Sequence, residues 1–249
     1  MSQSIHRAAE ILEYVSLAPR TQSEIAVKLG VHRSTALRML QTLTETGLTR
    51  RHADSRYGVG YRLSGLARAA SDQFDLRNIA RPVLQELGRD CTHTVHLAVL
   101  EGDRIVYADK IEQPGMVRLY SQIGQPVLLH TAGVSKAILA QQDVEKTDRM
   151  LEGYEYTPYT DNTIVSRAAL DAELERTRER GWAVDDAEYE NFINCIAMPI
   201  RDSSDTVVAA VSITALKASA DLDALAEWQP RLDDVVLAIS HDLGWRPHD

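Results

Sequence analysis

A short stretch near the start of the sequence, VHRSTALRMLQTL (31–43), combines helix-forming residues with side chains that bind anions. Ser34, Arg38 and Gln41 recur at i, i+4 and i+7, so a helix would present all three on one side. Arg33 falls in the first turn of that helix, where the positive end of the helix dipole disfavours a cation. We therefore expect the partner of this surface to be an anion outside the protein.

Cys195, His130 and Asp185 are a second set of residues that could do chemistry, as a nucleophile, a general base and a group that orients the base. The sequence does not show whether these three residues meet. No nucleophile elbow, P-loop, zinc signature or dinucleotide-binding glycine fingerprint is present. A cysteine-dependent enzyme is therefore the alternative function, and a small buried hydrophobic role is the alternative for Cys195.

Neither a metal nor an organic cofactor is expected. His93 and His96 of the segment HTVH are predicted to lie on a strand, where residues i and i+3 point to opposite faces. Cys91 and Cys195 lack the paired spacing of metal ligands, and two cysteines are too few for a disulfide framework, which fits a reduced compartment. The N-terminus, MSQSIHRAAEIL, has no basic segment followed by an apolar core, so we expect a cytoplasmic protein.

Three helices are predicted to position the arginines. The first runs over Ile5–Leu17, a capping box of Thr21 and Glu24 starts the second, and Gly30 ends it. The third covers about His32–Thr46. The inward-facing residues of the first helix are predicted to be Ile5, Ala8, Ile11, Leu12 and Val15.

After the third helix the pattern changes to two short strands, Leu48–Arg51 and Arg56–Val59, joined by the turn residues 52–55. Two helices joined by a tight turn and followed by a basic hairpin make a winged helix-turn-helix. A helix of this kind fits the major groove of DNA, where an arginine can donate two hydrogen bonds to guanine.

The distribution of charge agrees with a nucleic-acid-binding N-terminal part. The chain has 249 residues, enough for two domains, and a net charge of −9. Residues 1–68 hold ten Lys or Arg against five Asp or Glu, whereas the remaining residues hold 17 against 31. This split indicates a basic module that binds a polyanion, joined to an acidic body with another role. The alternative is that the basic stretch is only a solvated face.

The second part of the chain mixes short strands with helices. Strands are predicted at five runs rich in Val, Ile and Ala, which are His93–Leu100, Asp103–Ile111, Trp182–Asp186, Asn194–Ile200 and Thr206–Ala215. Helices are predicted over Asp75–Asp90, Ala132–Gln142, Arg167–Arg180 and Leu222–Leu243, with a connecting helix over Leu63–Phe74. A sheet with helices packed on it in mixed order is an α+β domain.

Several phrases resemble the N-terminal domain of the IclR family of bacterial transcriptional regulators: RAAEIL (7–12), SEIAVKLGVHRSTALRMLQTL (23–43), GLTRR (47–51) and RYGVGYRLSGLA (56–67). Residues 78–112, 117–140, 159–164 and 179–213 resemble the effector domain of that family in order and spacing. The resemblance implies a winged helix-turn-helix DNA-binding domain over 1–62 and a linker helix over 63–75. It further implies a GAF-like effector-binding and oligomerisation domain with a central antiparallel sheet over 76–249.

One winged domain binds too weakly, and reads too short a sequence, to find an operator, so a homodimer, or a dimer of dimers, is expected on a palindromic double-stranded DNA operator. Base or groove-edge contacts are expected from Arg33, Ser34, Thr35 and Arg38, and phosphate contacts from Thr21, Ser23, Arg50, Arg51 and Arg56. The alternative for each hydroxyl is a helix cap. The alternative for Arg38 is a surface ion pair with Glu45 or Glu24.

A small-molecule effector, an organic or aromatic acid, is implied to bind against the sheet and to control operator affinity. The implied lining is Gly133 and Val134 through their amides, Asp185, Cys195, Ser212 and Thr214 as polar groups, and Met116, Leu119 and Val127 as an apolar wall. Alternation independently puts Ser212 and Thr214 on one strand face. Asp185 could instead cap a turn. Ser135 and residues 191–194 depart from the family pattern, which leaves the ligand open.

Overall fold

The computed structural model describes residues 3–73, 75–112 and 121–247. The chain divides into two compact units, Met1–Phe74 and Asp75–Asp249, and each has a hydrophobic core of its own. Within the described ranges no helix is long and apolar enough to cross a membrane.

The N-terminal unit consists of helices and one antiparallel hairpin. Its elements are α1 (Gln3–Leu17), α2 (Gln22–Lys28), α3 (Arg33–Glu45), β1 (Thr49–Arg51), β2 (Tyr57–Val59) and α4 (Arg62–Gln73). The predicted order of three helices followed by a basic hairpin is confirmed. Ile11 and Val15 of α1 pack with Ile25 of α2 and Leu40 of α3 to form the core. The prediction for Ile5 is wrong, because the core contacts α1 only from Ala8 onward and the Ile5 side chain is 72% exposed.

Two glycines bring the hairpin close to the end of α3. Gly47 follows the helix with a φ of +75°, a conformation that favours glycine. Gly60 packs so tightly against it that a Cβ on Gly60 would lie 2.1 Å from the Gly47 carbonyl oxygen. Gly60 also donates its backbone N–H to the Leu48 oxygen at 2.9 Å. The hairpin arginines are therefore held at a fixed place relative to α3.

A five-stranded antiparallel sheet organises the C-terminal unit, which confirms the predicted α+β class. Its strands are β3 (Thr94–Glu101), β4 (Arg104–Ile111), β5 (Ala183–Asp186), β6 (Ile193–Arg201) and β7 (Val207–Leu216). They lie in the order β4-β3-β7-β6-β5, and every neighbouring pair is antiparallel. Of these five strands, β3 comes first along the chain and β7 comes last, and the two are neighbours in the sheet.

Helices cover both faces of this sheet. On one face α5 (Leu76–Cys91) and α10 (Gln229–Asp242) pack against residues such as Val95, Val211 and Ile213. On the other face α6 (Gly133–Leu139) and α8 (Arg167–Arg180) pack against small residues of the strands, such as Ala197 and Ala210.

The helix predicted over Leu222–Leu243 is two helices, α9 (Leu222–Ala226) and α10. Pro230 lies in the first turn of α10, where its missing N–H is tolerated. A continuous helix would place the Pro230 ring against the carbonyl of residue 226 and break the ladder there. A further short helix, α7 (Val144–Met150), was not predicted because its sequence, VEKTDRM, is short and polar.

Candidate functional site: a recognition helix and a ligand cavity

Helix α3 exposes the side chains that the sequence singled out. Arg33, Ser34 and Arg38 are exposed to solvent, and Thr35 is half-buried. In the described part of the chain no ion pair involves Arg38, and Glu24 pairs with Arg56 at 3.5 Å. The surface ion pair considered for Arg38 is therefore absent, and its guanidinium group faces solvent.

Contacts between α2 and α3 fix the turn that precedes the exposed surface. Gln22 Nε2 donates to the Arg33 carbonyl oxygen at 2.9 Å, and the Arg33 guanidinium donates to Ser23 Oγ. His32 caps α3 by accepting the Ser34 N–H at 3.3 Å. The first turn of α3 is thus held in place, with Arg33 and Ser23 adjacent to each other.

The hairpin arginines differ in how far their own chain engages them. Arg50 and Arg51 are exposed, with the Arg50 guanidinium 5.3 Å from the Tyr61 ring centroid and Arg51 donating to Ser55 Oγ at 2.9 Å. Arg56 is engaged by its own chain, because its Nη1 donates to the Pro19 oxygen at 3.2 Å and its guanidinium also pairs with Glu24 and Asp54. Arg50 and Arg51 are therefore more available to an outside anion than Arg56.

Thr21 forms the predicted capping box. Its hydroxyl donates to Glu24 Oε2 at 2.7 Å and accepts the Glu24 N–H, while its own N–H donates to the same carboxylate. These bonds from Thr21 hold the pKa of Glu24 below its usual value. A phosphate contact by the Thr21 hydroxyl would have to displace this carboxylate.

In the C-terminal unit a cavity of about 250 Å³ lies against the sheet face that carries small residues. Strand register explains why polar side chains meet there. Cys195 pairs with both Asp185 and Thr214, and Thr214 pairs with Thr94, so one polar row crosses four strands. In the next row Ser212 pairs with His96. Directly paired residues share a sheet face, so the register brings the predicted Asp185, Cys195, Ser212 and Thr214 together in the cavity wall.

His96 links the polar rows to the rim of the cavity. Its Nδ1 lies 3.3 Å from Thr214 Oγ1 and 3.5 Å from Ser212 Oγ, and its Nε2 lies 2.7 Å from Ser121 Oγ. Burial, together with the charge of Lys110, lowers the pKa of His96 to about 3. The ring is therefore neutral at physiological pH and offers one donor and one acceptor.

The start of α6 closes the cavity beside β6. Gly133 lies so near β6 that a Cβ would fall 2.5 Å from Cys195 Sγ. The Gly133 backbone donates a hydrogen bond to this sulfur, but burial and the neighbouring Asp185 raise the pKa of Cys195 to about 12. Gly133 and Val134 both line the cavity, and so does Thr131, whose buried Oγ1 has no partner within the described residues.

Two carboxyl groups and one buried lysine set the charge at this end of the cavity. Lys136 of α6 is fully buried and forms an ion pair with Glu188. Asp185 Oδ1 accepts the Glu188 N–H at 2.8 Å, so Asp185 also caps the turn after β5. Burial raises the pKa of Asp185 to about 6 and that of Glu188 to about 7, against the opposing effect of the Lys136 charge.

The predicted apolar wall differs from the structure. Val127 packs into the core and donates its N–H to the Ile105 oxygen at 2.8 Å, while its neighbours Pro126 and Leu128 line the cavity. Adjacent residues of an extended segment point to opposite sides, so the prediction was off by one position. Met116 and Leu119 lie outside the described residues. Sequence reasoning missed four aromatic residues of the wall, which are His96, Tyr107, Tyr159 and Tyr189.

The structure does not bring Cys195 and His130 together as a cysteine-dependent enzyme, the alternative function, would require. His130 Nδ1 lies 2.7 Å from the Tyr154 hydroxyl and Nε2 lies 3.1 Å from the Thr157 oxygen, so both ring nitrogens are engaged away from Cys195. His130 is fully buried and does not line the cavity. With its pKa raised, Cys195 stays a neutral thiol, and a thiol in that state is a poor nucleophile.

Comparisons with known proteins cover both units. The family profile "IclR helix-turn-helix domain" matches residues 4–53, and the profile "Bacterial transcriptional regulator IclR C-terminal" matches residues 68–241. The chain is 32% identical over 246 residues to the HTH-type transcriptional regulator XynR of Escherichia coli, with 98% of each chain covered. It is also 32% identical over 228 residues to the regulator KdgR of the same organism, covering 91% of this chain and 86% of KdgR.

Solved structures of related proteins match this chain over nearly its whole length. The crystal structure of the Thermotoga maritima IclR matches with a TM-score of 0.65 at 32% identity, covering 98% of this chain and all of that one. The Agobacterium tumefaciens repressor BlcR matches with a TM-score of 0.78 at 25% identity, covering 99% of both chains. These similarities extend over both units.

Proposed function

Because the chain belongs to the IclR family of bacterial transcriptional regulators, we propose that a small-molecule effector bound in its C-terminal cavity controls how tightly the protein holds its operator. The protein is a DNA-binding transcriptional regulator and not an enzyme. The observation that carries the proposal is the cavity itself. It joins a row of hydrogen-bonding side chains to an aromatic wall, as small-molecule sites do.

For the N-terminal domain, residues 1–62, we assign α3 to the major groove of DNA. Arg33, Ser34, Thr35 and Arg38 would read or approach base edges, and the exposure of the two arginines supports this role. Arg50 and Arg51 would bind phosphates and position the domain. Thr21, Ser23 and Arg56 already have partners within the chain, so we give them a supporting role in phosphate contact.

A single head contacts too few base pairs to find an operator. We therefore propose that a homodimer, or a dimer of dimers, binds a palindromic operator with one head on each half-site. In this arrangement residues 63–75 connect the domains, and residues 76–249 bind the effector and hold the copies together. Because its proposed operator lies on chromosomal DNA, we also propose that the protein is cytoplasmic.

The effector we propose is an organic or aromatic acid. The amides of Gly133 and Val134 at the start of α6 would face its carboxylate or a carbonyl oxygen, since helix starts favour anions. To bind the ligand, the Gly133 N–H would have to exchange its hydrogen bond to Cys195 Sγ for one to the ligand. Asp185, Cys195, Ser212, Thr214 and the unpartnered Thr131 hydroxyl offer further hydrogen bonds. Met116 and Leu119 remain proposed for the apolar wall, where Leu128 and the tyrosines lie in place of Val127.

Control follows from linkage between the two binding events. A ligand that favours one arrangement of the DNA heads shifts operator affinity by the difference between its affinities for the arrangements. Such couplings are typically about 1 to 3 kcal/mol. An effector at saturation should therefore change the operator dissociation constant by roughly 5- to 150-fold.

The experiment starts from DNA selected out of a random pool by the purified protein. Fluorescence anisotropy then measures the affinity for this operator with and without a panel of small acids. Ser212→Ala and Thr214→Val should weaken the response to the effective acid while operator affinity without effector persists. Ser219→Ala, at an exposed serine just beyond β7, is the matched control and should respond normally. Operator affinity that no small molecule changes would contradict the proposal.

A further inference from the structure

The charges around the cavity do not match an acid in an obvious way. In the described part of the cavity wall the charged side chains are the carboxyl groups of Asp185 and Glu190. Two largely buried cations adjoin this wall, and both are already paired: Lys136 with Glu188, and Lys110 with Glu112 at 2.8 Å. An effector carboxylate would therefore face like charge, which is unfavourable in a buried site. The conflict disappears if one carboxyl group carries a proton.

Asp185 is placed to carry that proton. Its side chain is 8% exposed, and its Oδ1 accepts the Glu188 N–H at 2.8 Å. Its second oxygen, Oδ2, has no hydrogen-bond partner within residues 75–112 and 121–247. Asp185 and Gly133 both line the cavity, and a Cβ on Gly133 would lie 3.8 Å from the Asp185 backbone nitrogen, so the carboxyl group belongs to the same part of the wall as the backbone amides proposed to hold a ligand.

We propose that Asp185 binds the acid effector as a neutral carboxylic acid, donating the hydrogen on Oδ2 to the effector carboxylate. The proposal rests on the effector control proposed above. One proton is taken from solvent for each effector carboxylate that binds. The proton and the carboxylate together leave the net charge of the cavity unchanged. Asp185 thereby selects ligands with an acceptor at this position.

The groups that face Asp185 come from several elements. They are Lys136 of α6, Tyr107 of β4, His96 of β3, Cys195 of β6, and Asp186, Glu188 and Glu190 on β5 or just after it. Tyr107 and Cys195 have pKa values raised by burial and His96 has one lowered by burial, so all three are neutral around pH 7. Asp185 and Glu188 are the groups here whose pKa values, about 6 and about 7, lie close to neutrality.

The direction of the pH effect follows from these charges. Without ligand Asp185 has a pKa of about 6 and is mostly ionised at neutral pH. A bound carboxylate raises this pKa further, because two negative charges in one buried site repel. Binding above about pH 6 then takes up close to one proton. The association constant for an acid should fall about tenfold per pH unit in that range and level off below it.

Isothermal titration calorimetry on the full-length protein tests whether acid binding takes up a proton. The ligands are benzoate, an aromatic acid, and gluconate, a polyhydroxylated acid. Buffers of different ionisation enthalpy report the number of protons taken up at each pH. We expect uptake approaching one proton per acid at neutral pH, and none for benzamide and gluconamide. Acid binding without proton uptake would overturn this inference and leave effector control standing. If neither acid binds at any pH, the acid effector and this inference both fall.

Asp185→Asn supplies the matching variant, since an amide keeps the shape and the bond from Glu188 but cannot ionise. It should bind the same acid with a flat pH profile. Asp171→Asn is the matched control, because Asp171 of α8 is exposed and pairs with Arg167 at 2.7 Å outside the cavity lining, and it should keep the parent slope. Carbon-13 titration of the Asp185 carboxyl in the unmodified protein is a second measurement. Its pKa should rise when either acid binds, and an unchanged pKa would overturn the inference.

Discussion

Gly133 is a residue on which the shape of the C-terminal cavity depends directly. Any side chain there meets Cys195, whose Sγ would lie 2.5 Å from the new Cβ. Because Gly133 has no side chain, the backbone of α6 contacts β6, and the Gly133 N–H donates a hydrogen bond to the Cys195 sulfur. The cavity wall is therefore made of backbone at this point, which is where we place the effector carboxylate.

Gly133→Ala should destabilise the effector domain by about 1 to 3 kcal/mol, because the overlap forces α6 away from the sheet. Thermal or urea unfolding of the variant measures the loss, and calorimetry should show weaker acid binding. Adding Cys195→Ala removes the sulfur and should restore most of the stability. Gly65→Ala is the control, since nothing lies within 4 Å of its Cβ position in α4. A double variant no more stable than the single one would contradict this steric explanation.

In the N-terminal unit, Arg38 of α3 is the residue that tests the proposed base contacts most simply. Arg38→Ala should weaken specific operator binding by about 1 to 3 kcal/mol and leave the melting temperature unchanged, because the side chain is exposed and has no ion pair in the described chain. Anisotropy titrations with the operator and with a scrambled duplex separate specific from general binding. Arg104→Ala changes an equally exposed arginine in the effector domain and should have no effect. Unchanged specificity in the Arg38 variant would remove this residue from base reading.

Part of the site could be predicted residue by residue. Alternation placed Ser212 and Thr214 on one strand face, and the family resemblance supplied Asp185 and Cys195. His96 was considered only as a metal ligand, although its register opposite Ser212 brings it into the same wall. That register joins residues more than a hundred positions apart, and a local pattern carries no information about such a pairing. Tyr107 of β4 was missed for the same reason, whereas Tyr159 and Tyr189 lie outside the strands and helices, where no periodic pattern indicates which way a side chain points.

At the scale of elements, the start of α2 tests how the DNA-binding head is built. Thr21→Ala should destabilise the N-terminal unit by about 1 kcal/mol, because α2 loses its side-chain cap and Glu24 loses the group that holds it. Thr21→Ser keeps the hydroxyl and should retain nearly all of the stability. Chemical unfolding followed by helix circular dichroism measures both at neutral pH, where Glu24, whose pKa is lowered, is ionised. Equal stability of all three proteins would contradict the role of the cap.

Helix and strand patterns predicted nearly every element, since the amphipathic repeat and the turn residues are local signals. The break between α9 and α10 was missed because the apolar pattern runs through Pro230 without a change of period. The exposed Ile5 shows the opposite error, in which a regular pattern extends beyond the core it packs on. The order of strands in the sheet could not be read from the sequence, because it depends on which edges meet in space.

Across the whole molecule, charge separates the two tasks. Residues 1–68 carry twice as many basic as acidic side chains, whereas the remainder is strongly acidic. We propose that the basic head attracts DNA through its arginines, and that a carboxyl group lining the cavity of the acidic domain is neutral when an acid binds. On this proposal a single chain combines affinity for a polyanion with recognition of a small anion.

The most direct test is to measure operator affinity as a function of salt concentration, for the full-length protein and for its Arg50→Ala variant. We predict that the logarithm of the association constant falls linearly with the logarithm of salt concentration between about 50 and 200 mM. Arg50→Ala should reduce the magnitude of that slope by about 1 per head, because one phosphate contact is lost. A protein that shows no salt-sensitive attraction to any double-stranded DNA would contradict the account.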